Sequence, residues 1–355
     1  MRRFKRVAMG LVMAMALTAC SQQGGAAETT AKQETEAAKP AAEAVTETES
    51  SEAPEASKAE TGTDEKILIG YSPMTMVNPY FSAVGSSIEE VVAANGGELV
   101  KFDPQMDASV QAAQIDDMIS MGIKALLFIP VDSAGSRNIM QACKDAGVYV
   151  VNIDNVVNEN DYDVVDAIVA SDNYGLGYVS GEDVVERFPD GANIGIMHSP
   201  TSESCIVTVN AFWDAIKEHA ENPEVYVNVA EADGKGNMEQ SFTQATDILQ
   251  AHDDIDLFYC VNDQSAFGVI QAIKEAGKSG KISVYGKDGS PDAKAVLGQD
   301  GFVQTSGQSP LGIGRIGAEN CFKLIKGEKV EFNTSIEAFS ITADNVAEYG
   351  IDGWQ

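Results

Sequence analysis

Polar side chains recur just past short apolar runs of this chain: Asn78, then Asp154 and Asn155, then Asn262 and Asp263, then Asp288. Carboxylates accept hydrogen bonds from hydroxyls, and side-chain amides both donate and accept, so a ring of such groups suits a small ligand rich in hydroxyls. Tyr80 and Phe81 follow Asn78 closely and would add flat apolar faces for the CH groups of that ligand. The combination points to a sugar or polyol. Each residue also has a local structural use. Asn78 precedes Pro79 and can cap a helix, Phe81 has the spacing of a core residue, and Asp288-Gly289-Ser290-Pro291 can form a turn and helix start.

These groups need a scaffold that gathers them. Residues 255–291 read as strand, helix and strand, with each strand stopping at an acidic residue. That places Asn262, Asp263 and Asp288 at the carboxyl ends of neighbouring parallel strands, where open α/β sheets bind ligands. The same alternation begins at residue 66, with strands expected at 67–71, 99–102, 125–129 and 148–153 and helices at 79–95, 108–121 and 134–146. In the first helix Phe81, Val84, Ile88, Val91 and Val92 share one face, and Gly96-Gly97 stops it. After a strand at 164–170, a second run places helices at 176–187, 207–219 and 238–250 among strands at 193–197, 225–229 and 302–305. Two runs of domain length predict an α/β protein with two similar doubly wound parallel-sheet lobes. Periodicity alone assigns no place to a helix at 310–326 or an extended segment at 331–339.

The chain has 355 residues and a formal net charge of −30, which opposes nucleic acid and anionic lipid surfaces. Arg2, Arg3, Lys5 and Arg6 precede an apolar run at 7–17 that is too short to span a bilayer but fits the core of a secretory signal. It ends Leu17-Thr18-Ala19-Cys20, which resembles the lipobox of bacterial lipoproteins. The resemblance implies removal of residues 1–19 and a lipid on Cys20, so the protein is expected to be exported and anchored to the outer face of the cytoplasmic membrane. Residues 20–64 are rich in Ala, Glu, Thr and Ser and poor in large apolar groups, the composition of a disordered acidic tether. Cys143, Cys205, Cys260 and Cys321 lie far apart with no CxxC and no neighbouring His pair, so neither metal nor disulfide is expected.

Two nucleotide-like motifs are set aside, and no cofactor is expected. Gly312, Gly314 and Gly317 have the GxGxxG spacing but fall inside an expected helix, where small residues serve close packing. Gly277-Lys278-Ser279 ends a helix, and Ala272 stands where a phosphate loop needs its first glycine. His198, His219 and His252 are scattered and follow no GxSxG elbow. His198 and Ser199 are read as an exposed loop outside the site.

Asn78-Pro79-Tyr80-Phe81, Ile129-Pro130-Val131-Asp132-Ser133, Asn152-Ile153-Asp154, Ala170-Ser171-Asp172-Asn173, Val261-Asn262-Asp263, residues 286–292 and Gln308 together carry a resemblance. From residue 66 onward the chain resembles the periplasmic binding proteins of ribose and galactose type, the solute-binding components of sugar ABC importers. The resemblance implies a type I fold whose lobes are joined by three crossings, near 170–173, 305–308 and 333–339. The first lobe would hold 65–170 plus 308–333, and the second 171–307 plus 334–355. It implies ligand contacts from Asn78, Tyr80, Phe81 and Asp154 in the first lobe, Asn262 and Asp288 in the second and Gln308 at a crossing, while Asp263 drops out.

The ribose-type pattern has one arginine where this chain has Asn155 and another where it has Cys205-Ile206-Val207. Asn155 is therefore counted among the expected contacts, although an amide does not replace a bidentate guanidinium, and an ordinary ribose pocket is not expected. The partners implied are a small neutral sugar or polyol, the permease of an ABC importer and the membrane through the lipid, with the protein itself a monomer. The alternative is a sugar-sensing subunit for a membrane kinase or chemoreceptor. Asp154 and Asp288 could face each other as glycosidase carboxylates do, but the resemblance is to a non-enzymatic family, and no enzyme is expected. Repressors of related fold are countered by the export signal and the absence of a basic DNA-binding module.

Overall fold

Short apolar runs and amphipathic helices alternate along the computed structural model, which describes residues 66–355. The expected signal peptide, Cys20 and the 20–64 tether lie outside the described residues. In chain order the elements are β1 (Leu68–Ser72), α1 (Pro79–Ala94), β2 (Glu98–Lys101), α2 (Ala108–Met121), β3 (Ala125–Phe128), α3 (Arg137–Asp145), β4 (Tyr149–Ile153) and β5 (Ala167–Ser171). There follow α4 (Asn173–Arg187), β6 (Ala192–His198), α5 (Glu203–His219), β7 (Tyr226–Asp233), α6 (Met238–Ala251), β8 (Leu257–Cys260), α7 (Asp263–Glu275) and β9 (Ser283–Asp288). The last are α8 (Pro291–Val296), β10 (Phe302–Gly307), α9 (Pro310–Ile325), β11 (Asn333–Ile336) and β12 (Phe339–Thr342).

The strands form two sheets, ordered β11-β5-β4-β3-β1-β2 and β12-β10-β9-β8-β6-β7. Every pairing is parallel except that of β12 with β10. Apolar clusters cover both faces of each sheet. Ile69, Tyr71, Leu127 and Ile153 pack with α1 and α9, and Phe128, Val150 and Ile168 with α2 and α3. In the second sheet Phe258 and Val284 pack with α6 and α7, and Ile196 and Tyr285 with α4 and α5.

The chain passes between the sheets three times: after β5, after β10, and between β11 and β12. Ser335 and Ile336 pair with Ala170 and Ser171, so the last passage lies at Glu337-Ala338, a little beyond the boundary expected at 333/334. The physical reason is that β11 supplies partners for the outer backbone groups of β5, which would otherwise form an open edge. Two more expectations shift. Helix α5 starts at Glu203, ahead of residue 207, because the Ser202 hydroxyl accepts from the Cys205 N–H at 3.4 Å and caps it there. Strand β6 extends through His198, which is 7% exposed and thus not a loop histidine.

The GxGxxG spacing is a packing device. A Cβ on Gly314 would collide with Val84 O and Ser87 Oγ of α1, and one on Gly317 would come within 2.8 Å of Leu127 and 2.9 Å of Ile153. Close approach of α9 to α1 and to the sheet requires both positions to lack a side chain. Gly314→Ala is expected to destabilise the protein by about 1–3 kcal/mol through overpacking, read as a lower denaturation midpoint at unchanged m-value. An unaltered midpoint would show that the helices are free to separate.

Candidate functional site

The carboxyl ends of the two sheets face one another across a cleft of about 1280 Å³. The 2-1-3-4-5 strand order places a switch point beside β1 in one lobe and beside β6 in the other, where loops diverge and leave room for a ligand. Asn78, Tyr80, Phe81, Asp154, Asn155, Asn262, Asp288 and Gln308 all line this cleft.

Four of them form a polar relay from one lobe to the other. The Tyr80 hydroxyl donates to Asp154 Oδ1 at 2.7 Å and lies 3.3 Å from Gln308 Oε1. Gln308 Nε2 in turn donates to Asp288 Oδ1 at 2.8 Å. Asp154 follows β4, Tyr80 opens α1, Gln308 sits at the crossing after β10, and Asp288 ends β9. Both aspartates hold backbone conformations that L residues rarely adopt, with φ of 61° at Asp154 and 127° at Asp288. Such strain persists only where the surroundings over-determine it, and it clusters at sites of function.

Burial pushes the pKa of Asp154 upward, and the Tyr80 hydrogen bond and the Lys287 charge work against that shift. Asp288 is raised well above the ordinary carboxylate range, first by burial and then by the nearby Asp263 charge. Asp263 serves the framework: its carboxylate accepts from Thr305 Oγ1 at 2.7 Å and Ser290 N at 2.8 Å, tying α7, β10 and the start of α8 together.

The amides divide differently from expectation. Asn78 Oδ1 accepts from Tyr80 N at 2.9 Å, and Asn262 Oδ1 from Ser265 N at 2.9 Å, so both cap helices while bordering the cleft. Asn262 Nδ2 also donates to Gly236 O at 3.0 Å. Asn155, expected as a ligand contact, is 1% exposed and committed to a seam between the lobes. Its Nδ2 donates to Pro130 O at 2.8 Å, and its Oδ1 accepts from Ser202 Oγ at 2.8 Å and Ser204 N at 3.2 Å. Ser204 Oγ donates to Asp154 O at 3.0 Å across the same seam.

Three participants escaped the sequence reading. Lys287 is 5% exposed and lines the cleft, yet within a strand it looks like one polar residue in an apolar alternation. Trp354 packs its ring edge-on to Tyr80, with centroids 5.7 Å apart, although 274 positions separate them in the chain (354 minus 80). Ser204 sits in the first turn of α5, and the Thr201-Ser202-Glu203 capping signal ahead of it was the available clue. The buried His198 ring has a depressed pKa, chiefly from burial, and its Nδ1 has no partner among the described residues. Among the described residues no group of His, Cys, Asp and Glu is arranged to hold a metal ion.

A polar cleft between two lobes that share three connections is the architecture of a two-lobed solute-binding protein. A sequence model of the periplasmic binding protein domain matches residues 69–329, and the chain belongs to that family. The ribose import binding protein of Bacillus subtilis is 29% identical over 276 residues, covering 78% of this chain and 87% of the relative. An ABC transporter solute binding protein from Bacillus halodurans, solved with bound myo-inositol, superposes with a TM-score of 0.73 at 25% identity, over 81% of this chain and 99% of that one. Another from Mycobacterium smegmatis, solved with glycerol, gives 0.74 at 26% identity over 82% and 98%.

The raised pKa of Asp288 makes stability depend on pH. A folded carboxyl that holds its proton more tightly than the unfolded one is most favourable below about pH 4, and the penalty grows as pH rises towards the folded value, then levels off. Asp288→Asn is therefore expected to stabilise the protein at pH 7, with the difference vanishing near pH 4. Thermal melts of both proteins at the two pH values check this, and a destabilised variant at pH 7 contradicts it.

Proposed function

We propose that this protein captures a small neutral polyhydroxylated ligand, a sugar or polyol, in the interlobe cleft and delivers it to the permease of an ABC importer. The observation that carries the reading is the relay Asp154-Tyr80-Gln308-Asp288, which lines the cleft with hydrogen-bonding groups from both lobes and a crossing. Asp154 and Asp288 accept from ligand hydroxyls, Gln308 and Asn262 add amide contacts, and Asn78 fixes the start of α1. Tyr80 and Phe81 present ring surface to ligand CH groups. Asn155 acts through the seam as a latch between lobes. The ribose, myo-inositol and glycerol named for the relatives belong to this ligand class.

The cleft exceeds the roughly 300–1,000 Å³ of ordinary small-molecule sites, which leaves room for the lobes to close on a ligand by rotation at the crossings. A closed shape distinct from the open one is what a permease reads. The chain acts as a monomer, and Cys20 carries the lipid that holds it beside the importer.

Calorimetric titration of ribose, allose, myo-inositol and glycerol tests the binding reading. At least one should bind the wild type, and Asp154→Ala should weaken it by about 10- to 100-fold through loss of a charge-assisted hydrogen bond. Failure of every neutral sugar and polyol would sink the proposal. For the anchor, Cys20→Ser should abolish labelled fatty-acid incorporation and move the protein out of the membrane fraction; undiminished labelling would reject Cys20 as the lipid site.

A further inference from the structure

A ligand rich in hydroxyls brings acceptors as well as donors, and a ring oxygen only accepts. The carboxylates of Asp154 and Asp288 answer the donors. On the donor side most of the cleft is already spoken for: the Tyr80 hydroxyl is bonded to Asp154, Gln308 Nε2 to Asp288, Asn262 Nδ2 to Gly236, and Asn155 Nδ2 to Pro130.

Lys287 is different. It is 5% exposed and borders the cleft, yet its ammonium has no hydrogen bond and no carboxylate within 4.0 Å among the described residues. Its Nζ is also not sealed within the interior, so it opens to the cleft. The other buried lysine, Lys294, shows what a structural ammonium looks like, since it donates to Gly353 O at 2.6 Å and Tyr349 O at 3.3 Å. A buried ammonium with three unused donors is costly unless something arrives to accept from it. The charged and titratable groups whose fields it meets are Asp154, Asp263 and Asp288, with His198 and Cys205 also in range.

We infer that Lys287 is a ligand-gripping donor of this cleft, giving hydrogen bonds from β9 to ring and hydroxyl oxygens of the same neutral sugar whose hydroxyls Asp154 and Asp288 accept. The inference rests on the binding reading above. It disfavours a sugar acid, because a ligand carboxylate drawn to Lys287 would also lie beside Asp154 and Asp288. It also makes β9 bipolar, with donor and acceptor on consecutive residues at one strand end. A ligand must then offer an acceptor oxygen beside a hydroxyl, the arrangement at a sugar ring.

The test is titration of the full-length wild type, Lys287→Met and Lys287→Arg with ribose, allose, myo-inositol, glycerol and gluconate at pH 7 and pH 9, with thermal melts alongside. The best neutral ligand should bind Lys287→Met about 10- to 100-fold more weakly at both pH values, with Lys287→Arg recovering part of the loss. The melts establish that the Met variant is folded under the titration conditions, since the substitution removes both a buried charge and the field it exerts on Asp154, Asp263 and Asp288. Equal affinity in Lys287→Met overturns the assignment and leaves the binding reading standing. Recovery of Lys287→Met at pH 9 also overturns it, since the lysine would then act only by keeping Asp154 ionised. Binding of gluconate alone, or of nothing, by the wild type overturns both.

Discussion

Holding Asp154 and Asp288 at the edge of the cleft, largely withdrawn from water but not surrendered to the protein's own interior, is the constraint on which the rest of the site depends. A carboxylate taken out of water must find donors, and a carboxylate fully supplied with donors cannot bind a ligand. The protein meets both demands by supplying one internal donor to each: Tyr80 to Asp154 and Gln308 to Asp288. The remaining acceptor capacity stays open to the cleft. Tyr80 Oη and Gln308 Oε1 lie 3.3 Å apart, so the two supplies stand next to each other between the lobes. The positive φ values of both aspartates show that the backbone is bent to keep their carboxyls at the strand ends.

The alternation of strands and helices was legible because a buried parallel strand and an amphipathic helix leave different periods, and the gathering of the site followed from parallel order. Tyr80, Asp154 and Asp288 meet because each stands at or just past the carboxyl end of a strand. What escaped was set by distance along the chain. The Oδ1 of Asn155 is met by Ser202 and Ser204, 47 and 49 positions away, and no local pattern reveals that partnership. In sequence the last apolar residue of β6 is Met197, which puts His198 in a loop, whereas the pairing of β6 with β7 runs on through His198 to Asp233. Lys287 was hidden by its own position, since in a strand buried on both faces a single lysine reads as a departure from pattern.

The seam and the cleft share residues, and this ties recognition to the relation between lobes. Ser204 Oγ touches the backbone of Asp154 while Asp154 Oδ1 holds Tyr80. A shift of the second lobe on the first is therefore felt directly at a carboxylate that lines the cleft. The fold provides the two bodies and the crossings, and the chemistry of the cleft lies in the polar groups left uncommitted at the strand ends. In this chain the seam consumes an amide, and an ammonium remains in the cleft.

The first lobe is discontinuous in the chain, with β5 complete at Ser171 but its neighbour β11 ending at Ile336. Helix α9, whose Ile313, Cys321 and Phe322 fill one face of that lobe, also comes from the late segment. At a synthesis rate of about 5–20 residues per second, the early strands wait roughly ten to thirty seconds for the pieces that cover them. During that interval the nascent chain has no finished first lobe to become trapped in. Late closure of the core thus leaves the first lobe unfinished until nearly the whole chain has been made.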